Sequence, residues 1–143
     1  MSEVQSSVKK IIEILHDSHR GYTEIGAHLE NPATKSFFAE ESTKRVKFEN
    51  ELKRATGLPE NEASGTAAGS VHRAWGEVKA HLGGGDHTLL ETAEQGEDAA
   101  KKAYEDALAD TEVSSSISEI LIRQQTDIRT AHDKVKALRD SGK

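Results

Sequence analysis

Apolar residues recur along the chain at the spacing of an α-helix. In the first part of the sequence they fall every three or four positions, from Val4 through Leu15 to Leu29. At about 100° per residue, positions with this spacing lie on one stripe of a helix. The pattern predicts a first helix over about residues 2–30, with the stripe turned towards a core.

Similar stripes predict three further long helices, over about residues 32–55, 87–109 and 113–139. Asn31 is suited to cap the second helix and Pro32 to be its first residue, because proline fits the first turn and asparagine accepts a free N–H group there. Gly57 and Pro59 should stop that helix. The inner side of the third helix is mostly Ala and Gly, which lets a neighbouring backbone approach closely.

The connection between the second and third helices is long and has its own pattern. Residues 60–70 are small and polar and are typical of a crossing loop. Ser70 could then cap a short helix over residues 71–82, whose apolar side carries Trp75. Glycines 83–85 should end it, and Asp86 is predicted to cap the third long helix.

These elements predict an all-α fold, a single four-helix-bundle domain over residues 1–143 with an additional short helix between helices 2 and 3. The long connection could carry the chain back along the bundle and make helices 2 and 3 parallel, which is the ferritin-like connectivity. A folded-back, up-and-down arrangement is the alternative.

Composition narrows the choice of partners and cellular location. The net charge is −6 and no basic stripe occurs, so nucleic acid is not an expected partner. No stretch approaches the roughly 18 apolar residues of a membrane span, so no membrane is expected either. The absence of an N-terminal secretory pattern predicts a cytoplasmic, bacterial-type protein. The chain contains no cysteine, which excludes disulfides and thiolate chemistry.

A few polar residues interrupt the apolar stripes near the middles of the helices. Burying such groups is costly unless they are paired or bind a metal. Helical spacing therefore predicts one polar layer inside the bundle, formed by Tyr22, Glu41, Arg45, Glu97 and Gln124.

Two interpretations of this polar layer differ in what balances its carboxylates. In the first, Arg45 neutralises Glu41 and Glu97 in a structural network and no cofactor is needed. In the second, Glu41, Glu97 and His132 bind iron or manganese in a carboxylate-bridged di-metal centre. The first is favoured for three reasons: no Glu-x-x-His pair is recognised in the chain, the first helix has no acid at the centre of its stripe, and an arginine competes with a metal ion for the same place.

Another group of residues concerns the short helix. Asp17 lies on a side of the first helix away from the main stripe, and Gly21 beside it leaves room for close packing. We expect the short helix to dock on this side, with Trp75 buried and with Asp17 pairing His72 or Arg73.

The order and spacing of several segments resemble those of a known family. They are Asp17 with Gly21-Tyr22, the segment from Gly65 to Trp75 with His72-Arg73, Gly96-Glu97-Asp98 followed by Tyr104, and His132-Asp133 with Leu138-Arg139-Asp140. They look like those of a family of short bacterial proteins with a ferritin-like four-helix-bundle domain of unknown function. The resemblance covers nearly the whole chain and implies the ferritin-like fold and a bacterial origin, but no activity.

The favoured hypothesis is a non-enzymatic ferritin-like bundle with a stress-associated or partner-binding role, the stress association resting on fold-level analogy. The alternative is an iron- or manganese-binding bundle with ferroxidase- or oxidase-like chemistry. A third hypothesis is an assembly module that buries part of the face carrying Trp75 against another copy of the chain. The partners considered are thus a second copy, in a homo-oligomer, or an unknown protein.

Overall fold

The structure, a computed structural model, describes residues 6–57 and 85–141. Over these residues the chain forms four helices and no strand: α1 Ser6–His28, α2 Pro32–Thr56, α3 Asp86–Ala109 and α4 Ser115–Ser141. The all-α prediction is confirmed for this part of the chain. The predicted short helix over residues 71–82 lies outside the described residues.

Both ends of α2 carry the signals that the sequence indicates. The side chain of Asn31 accepts a hydrogen bond from the Thr34 N–H at 3.1 Å, and Pro32 occupies the first turn. At the other end, Gly57 has φ 78°, a left-handed conformation that glycine adopts without strain. Its N–H bonds to the carbonyl of Arg54 at 3.3 Å, which satisfies one of the last free carbonyls of the helix.

The start of α3 differs from the prediction. Gly85 occupies the cap position, and Asp86 is the first helical residue instead of the cap. The carboxylate of Asp86 accepts hydrogen bonds from the backbone N–H groups of Glu30, at 2.9 Å, and Asn31, at 3.1 Å. The chain leaves the helical conformation after His28, so α1 ends there and not at Glu30. The two N–H groups therefore need a partner outside the helix, and Asp86 supplies it.

The fourth helix is shifted towards the C-terminus relative to its predicted range. It begins at Ser115 and ends at Ser141, against a prediction of 113–139. The Ser114 hydroxyl accepts a hydrogen bond from the Ile117 N–H at 3.3 Å. Ser114 therefore acts as the cap, and Val113 belongs to the turn before it.

Contacts at the helix ends give the relative directions of α1, α2 and α3. Helix α1 packs against α2 and α3, and α4 packs against the same two, so α2 and α3 lie diagonally across the bundle. Asp86 places the start of α3 beside the start of α2. At the other end of α3, Asp110 accepts a hydrogen bond from Ser7, at the start of α1, at 2.9 Å. Helices α2 and α3 are therefore parallel, and α1 runs in the opposite direction.

The core divides into two apolar clusters along the bundle axis. On α2, Phe38 belongs to the cluster near the start of that helix and Leu52 to the cluster near its end, and the buried Arg45 lies between them. On α3, Glu97 separates Ala93 from Ala100 in the same way. The two clusters thus leave a band of polar side chains at mid-height.

None of the helices in the described ranges combines the length and the apolar character that crossing a membrane requires.

Candidate functional site

All five residues of the predicted polar layer lie in the interior. None is more than 2% exposed, and Arg45 is among the largest fully buried side chains of the described chain. They come from all of the helices: Tyr22 from α1, Glu41 and Arg45 from α2, Glu97 from α3 and Gln124 from α4.

The guanidinium group of Arg45 joins two carboxylates on different helices. Its Nε donates to Oε2 of Glu41 at 3.2 Å, which is possible because residues four apart share a helix face. Its Nη2 lies 2.7 Å from Oε1 of Glu97 on α3. Helices α2 and α3 are diagonal neighbours, so Arg45 spans the middle of the bundle.

Tyr22 contacts both Glu97 and Arg45. Its hydroxyl donates a hydrogen bond to Glu97 Oε1, and its ring lies 5.1 Å from the guanidinium carbon of Arg45. A cation at this distance is attracted to the face of an aromatic ring. Burial, followed by the charge of Glu97, raises the pKa of Tyr22 well above its usual value, so the hydroxyl stays protonated as a donor.

Gln124 belongs to a second network. Its carbonyl oxygen accepts a hydrogen bond from the buried Tyr104 hydroxyl at 2.7 Å. Its amide donates to Glu51 Oε1 at 2.9 Å and to the Phe48 carbonyl at 3.3 Å. Glu51 in turn pairs with Arg123 on the surface of α4. The structure thus groups Tyr22, Glu41, Arg45 and Glu97, and gives Gln124 other partners that the sequence pattern did not identify.

The group around Arg45 contains one more carboxyl group than it has cations. Glu41 is within hydrogen-bonding reach of Asp127 on α4, and Lys44 Nζ lies 3.1 Å from Asp127 and 3.5 Å from Glu41. Glu41, Glu97 and Asp127 therefore face only the cations of Arg45 and Lys44.

This imbalance shows in the titration of Glu41. Burial raises the pKa of Glu41, the charge of Arg45 opposes the rise, and Asp127 adds to it, which brings the pKa to about 7. Burial would lower the pKa of Arg45, but the charges of Glu97 and its neighbours outweigh that and raise it, so the guanidinium stays charged. With Glu41 protonated, the group is electrically neutral.

Part of the hydrogen-bonding capacity of the polar layer is unused. Arg45 Nη1, Arg45 Nη2 and Glu97 Oε2 are buried and make no hydrogen bond in the described chain, although Nη2 lies in ion-pair contact with Glu97 Oε1. A buried ion pair offsets its desolvation only when its remaining polar atoms are also satisfied. The polar layer therefore contributes less to stability than its close ion pairs alone indicate.

His132 lies apart from the contacts of Arg45. Its Nε2 is 2.7 Å from Oδ1 of Asp98, and its Nδ1 is 3.1 Å from Oδ1 of Asp133. Within residues 6–57 and 85–141, the His and acid side chains that could gather around one ion are those of Glu94, Asp98 and His132. A metal centre formed by Glu41, Glu97 and His132 stays a prediction.

The expected absence of a Glu-x-x-His pair is wrong, because the chain contains one. Glu13 and His16 lie on α1, and such a pair is one component of a di-metal site in a helical bundle. In the structure, His16 Nδ1 is 3.5 Å from Oε2 of Glu49, and the same oxygen is 2.8 Å from Lys53 Nζ. Lysine thus supplies the positive charge next to this carboxylate.

Asp17 is half-buried on α1. Its predicted partners in the docked short helix, His72, Arg73 and Trp75, lie outside the described residues. This docking stays a prediction.

Comparison with protein families gives one match. The family described as "Domain of unknown function (DUF2383)" matches residues 3–110. The chain belongs to this family. No curated protein and no solved structure matches the chain. The matched residues of this DUF2383 chain include Tyr22, Glu41, Arg45 and Glu97, whereas α4 begins beyond the match.

The chemistry open to the DUF2383 polar layer is limited by burial. Glu41 titrates near neutral pH and is only 2% exposed, so a substrate has no direct access to its carboxyl group. Arg45 remains a fixed cation, and the Tyr22 hydroxyl remains a donor to Glu97. This arrangement can hold charges and orient helices, and it does not present a reactive group to solvent.

Proposed function

We propose that the protein is a non-enzymatic, ferritin-like four-helix-bundle domain that acts by binding a partner, and that its buried polar layer is structural. The ferritin-like part of the proposal is supported by the directions of the helices. Parallel, diagonal α2 and α3 require one long connection along the bundle, which is the connectivity of ferritin-like folds. The alternative form of this hypothesis, a stress-associated role, rests on fold-level analogy alone.

The position of Arg45 carries the proposal. In di-metal bundle proteins, carboxylates from facing helices meet around metal ions in the interior. Here, carboxylates from α2 and α3 meet around a guanidinium group that is part of the chain, with Glu97 Oε1 at 2.7 Å. The positive charge that a metal ion would supply is already present, and an ion beside it would be repelled.

A structural role for these residues is specific alignment of the helices. Glu97 on α3 can pair with Arg45 on α2 only when the two helices have one axial register. Sliding either helix by a turn, about 5.4 Å, would leave both charges buried without a partner. The polar layer would thus disfavour other axial alignments of the helices, which their similar apolar stripes would otherwise allow. It can do so even if an apolar layer at the same place would make the bundle more stable.

The test is metal content and oxygen chemistry. The full chain is purified without a chelator or a polyhistidine tag, its metals are measured by elemental analysis, and Fe²⁺ is then added while oxygen consumption is followed. We expect that no iron is bound through Glu41 or Glu97 and that no ferroxidase activity is detected. Asp98→Asn, which changes a carboxylate outside the polar layer, serves as the control.

The alternative di-metal function makes the opposite prediction. Stoichiometric iron that is retained in Asp98→Asn, is lost in both Glu41→Gln and Glu97→Gln, and is oxidised with consumption of oxygen would overturn the proposal. Manganese is titrated in the same way, because carboxylate and imidazole ligands suit either metal.

Self-association is tested separately. A homo-oligomer formed through the Trp75 face stays a prediction, since Trp75 lies outside the described residues. In the described ranges, Ile122 on α4 is the one large hydrophobic side chain that is strongly exposed, at 56%. Sedimentation of wild type and Trp75→Ala would show whether that face holds two copies together.

A further inference from the structure

A group of side chains that can bind metal lies between α3 and α4, away from the contacts of Arg45. Glu94 and Asp98 are one helical turn apart on α3, and His132 comes from α4. One ligand atom of each lies within 4.8 Å of the ligand atoms of the other two. Of the three side chains, Asp98 is exposed, Glu94 is half-buried and His132 is buried.

The imidazole of His132 is already oriented for this task. The residue is only 7% exposed, so packing restricts its ring. Its Nδ1 is 3.1 Å from a carboxylate oxygen of Asp133, and its Nε2 points to Asp98 at 2.7 Å. Metal-bound histidines usually donate their second ring N–H to a carboxylate, which fixes the tautomer and the ring plane. Asp133 occupies that position here, which distinguishes this group from an ordinary acidic surface.

We propose that Glu94, Asp98 and His132 bind one divalent transition metal ion, for which Zn²⁺ is the best match. One imidazole and two carboxylates suit zinc, whereas calcium and magnesium prefer oxygen ligands alone. Iron and manganese accept the same ligands, but a site of nitrogen and oxygen ligands generally binds Zn²⁺ more tightly than Mn²⁺ or Fe²⁺. Three protein ligands leave the fourth tetrahedral position to water. This site is independent of the proposed function, because it shares no residue with the polar layer.

Binding exchanges one set of contacts for another. The hydrogen bond between His132 Nε2 and Asp98 is replaced by a bond from each to the metal, and a proton on Nε2 is released to solvent. Glu94, which is 14% exposed in its side chain, also pairs with Arg139. A carboxylate has two oxygens, so Glu94 can bind the metal with one and keep Arg139 with the other.

The affinity test uses the tag-free full chain, treated with chelator, dialysed and titrated with Zn²⁺ in a calorimeter. We expect one equivalent to bind. Asp98→Asn should weaken binding roughly tenfold or more, and it should fold normally because the Asp98 side chain is 63% exposed. The matched control is Asp106→Asn on the same helix, with a side chain that is 51% exposed, and it should bind Zn²⁺ as the wild type does.

A second readout identifies the ligand atom. In the ¹⁵N NMR spectrum of the histidine rings, Zn²⁺ should shift the Nε2 signal of His132 and leave its Nδ1 protonated towards Asp133. Absence of Zn²⁺ binding, undiminished binding in Asp98→Asn, or Ca²⁺ binding as tight as that of Zn²⁺ would each overturn the proposal. Glu41→Gln should leave Zn²⁺ binding unchanged, so failure here is distinguishable from failure of the proposed function.

Discussion

Replacement of Arg45 by methionine tests the central inference about the interior. Methionine has a similar length and no charge, so Arg45→Met keeps much of the side-chain volume and removes the cation. Glu97, which is 0% exposed, then loses a charge partner at 2.7 Å. Glu41 loses a partner at 3.2 Å, but it can stay protonated because its pKa is already raised to about 7. The cost therefore falls mainly on Glu97.

The expected loss of stability is about 3–5 kcal/mol, the usual cost of removing one member of a buried ion pair. The free energy of unfolding of a domain of this size is about 5–15 kcal/mol, so the variant should be much less stable than the wild type but still folded enough for its unfolding to be measured. The double variant Arg45→Met/Glu97→Gln should recover part of the loss, because it removes the buried charge that the single variant leaves unpaired.

The assay is urea unfolding at pH 7, followed by circular dichroism. Lys44→Met is the matched control: Lys44 is next to Arg45 in sequence, its side chain is 50% exposed, and its ion pairs should be worth less than about 1 kcal/mol. The reasoning is refuted if Arg45→Met costs no more than Lys44→Met, or if the double variant is no more stable than Arg45→Met.

Three further predictions concern single positions. The pKa of Glu41 is raised from its usual 4.5 to about 7, so the folded chain binds a proton at Glu41 more tightly than the unfolded chain does. The stability that this proton contributes should therefore fall by about 3 kcal/mol as the pH rises from below 4.5 to above 7. Urea unfolding across this pH range should show a flatter profile for Glu41→Gln. A Cβ on Gly26 would meet Phe38 Cβ at 3.3 Å, so Gly26→Leu should push α1 from α2 and lower the free energy of unfolding by about 1–3 kcal/mol. Asn31→Ala should cost about 1 kcal/mol in thermal unfolding and Asn31→Gly only a few tenths, since glycine is a tolerated cap.

The helices and the inward-facing polar residues could be predicted because both depend on local periodicity. A 3.6-residue repeat identifies the side of a helix that is buried, and Glu41, Arg45 and Glu97 stand on such sides. Periodicity does not give the axial register of two helices, which decides which of their side chains lie at the same height. The partners of Gln124, which are Tyr104 and Glu51, depend on that register and emerged only from the structure.

Other features were missed for different reasons. Asp86 has the residue type of a helix cap, but long-range N–H groups of Glu30 and Asn31 compete for its carboxylate. The parallel arrangement of α2 and α3 was left open because the length of their connection is compatible with either direction. Asp98 and Asp133 stand in segments that carry the family resemblance, but exposed acids are common on helices, and only the proximity of His132 indicates a shared site.

The balance of charges explains why metal binding belongs between α3 and α4 and not in the interior. Around Arg45, two cations and three carboxyl groups become neutral when Glu41 takes up one proton, so a divalent ion would add an excess of charge beside the buried side chains of Glu41, Arg45 and Glu97. Around His132, the carboxylates of Asp98 and Asp133 are 63% and 80% exposed, and solvent can accept the proton that a metal displaces. Zinc affinity should therefore respond to Asp98→Asn and be indifferent to Glu41→Gln, whereas the pH dependence of unfolding should respond to Glu41→Gln and be indifferent to Asp98→Asn.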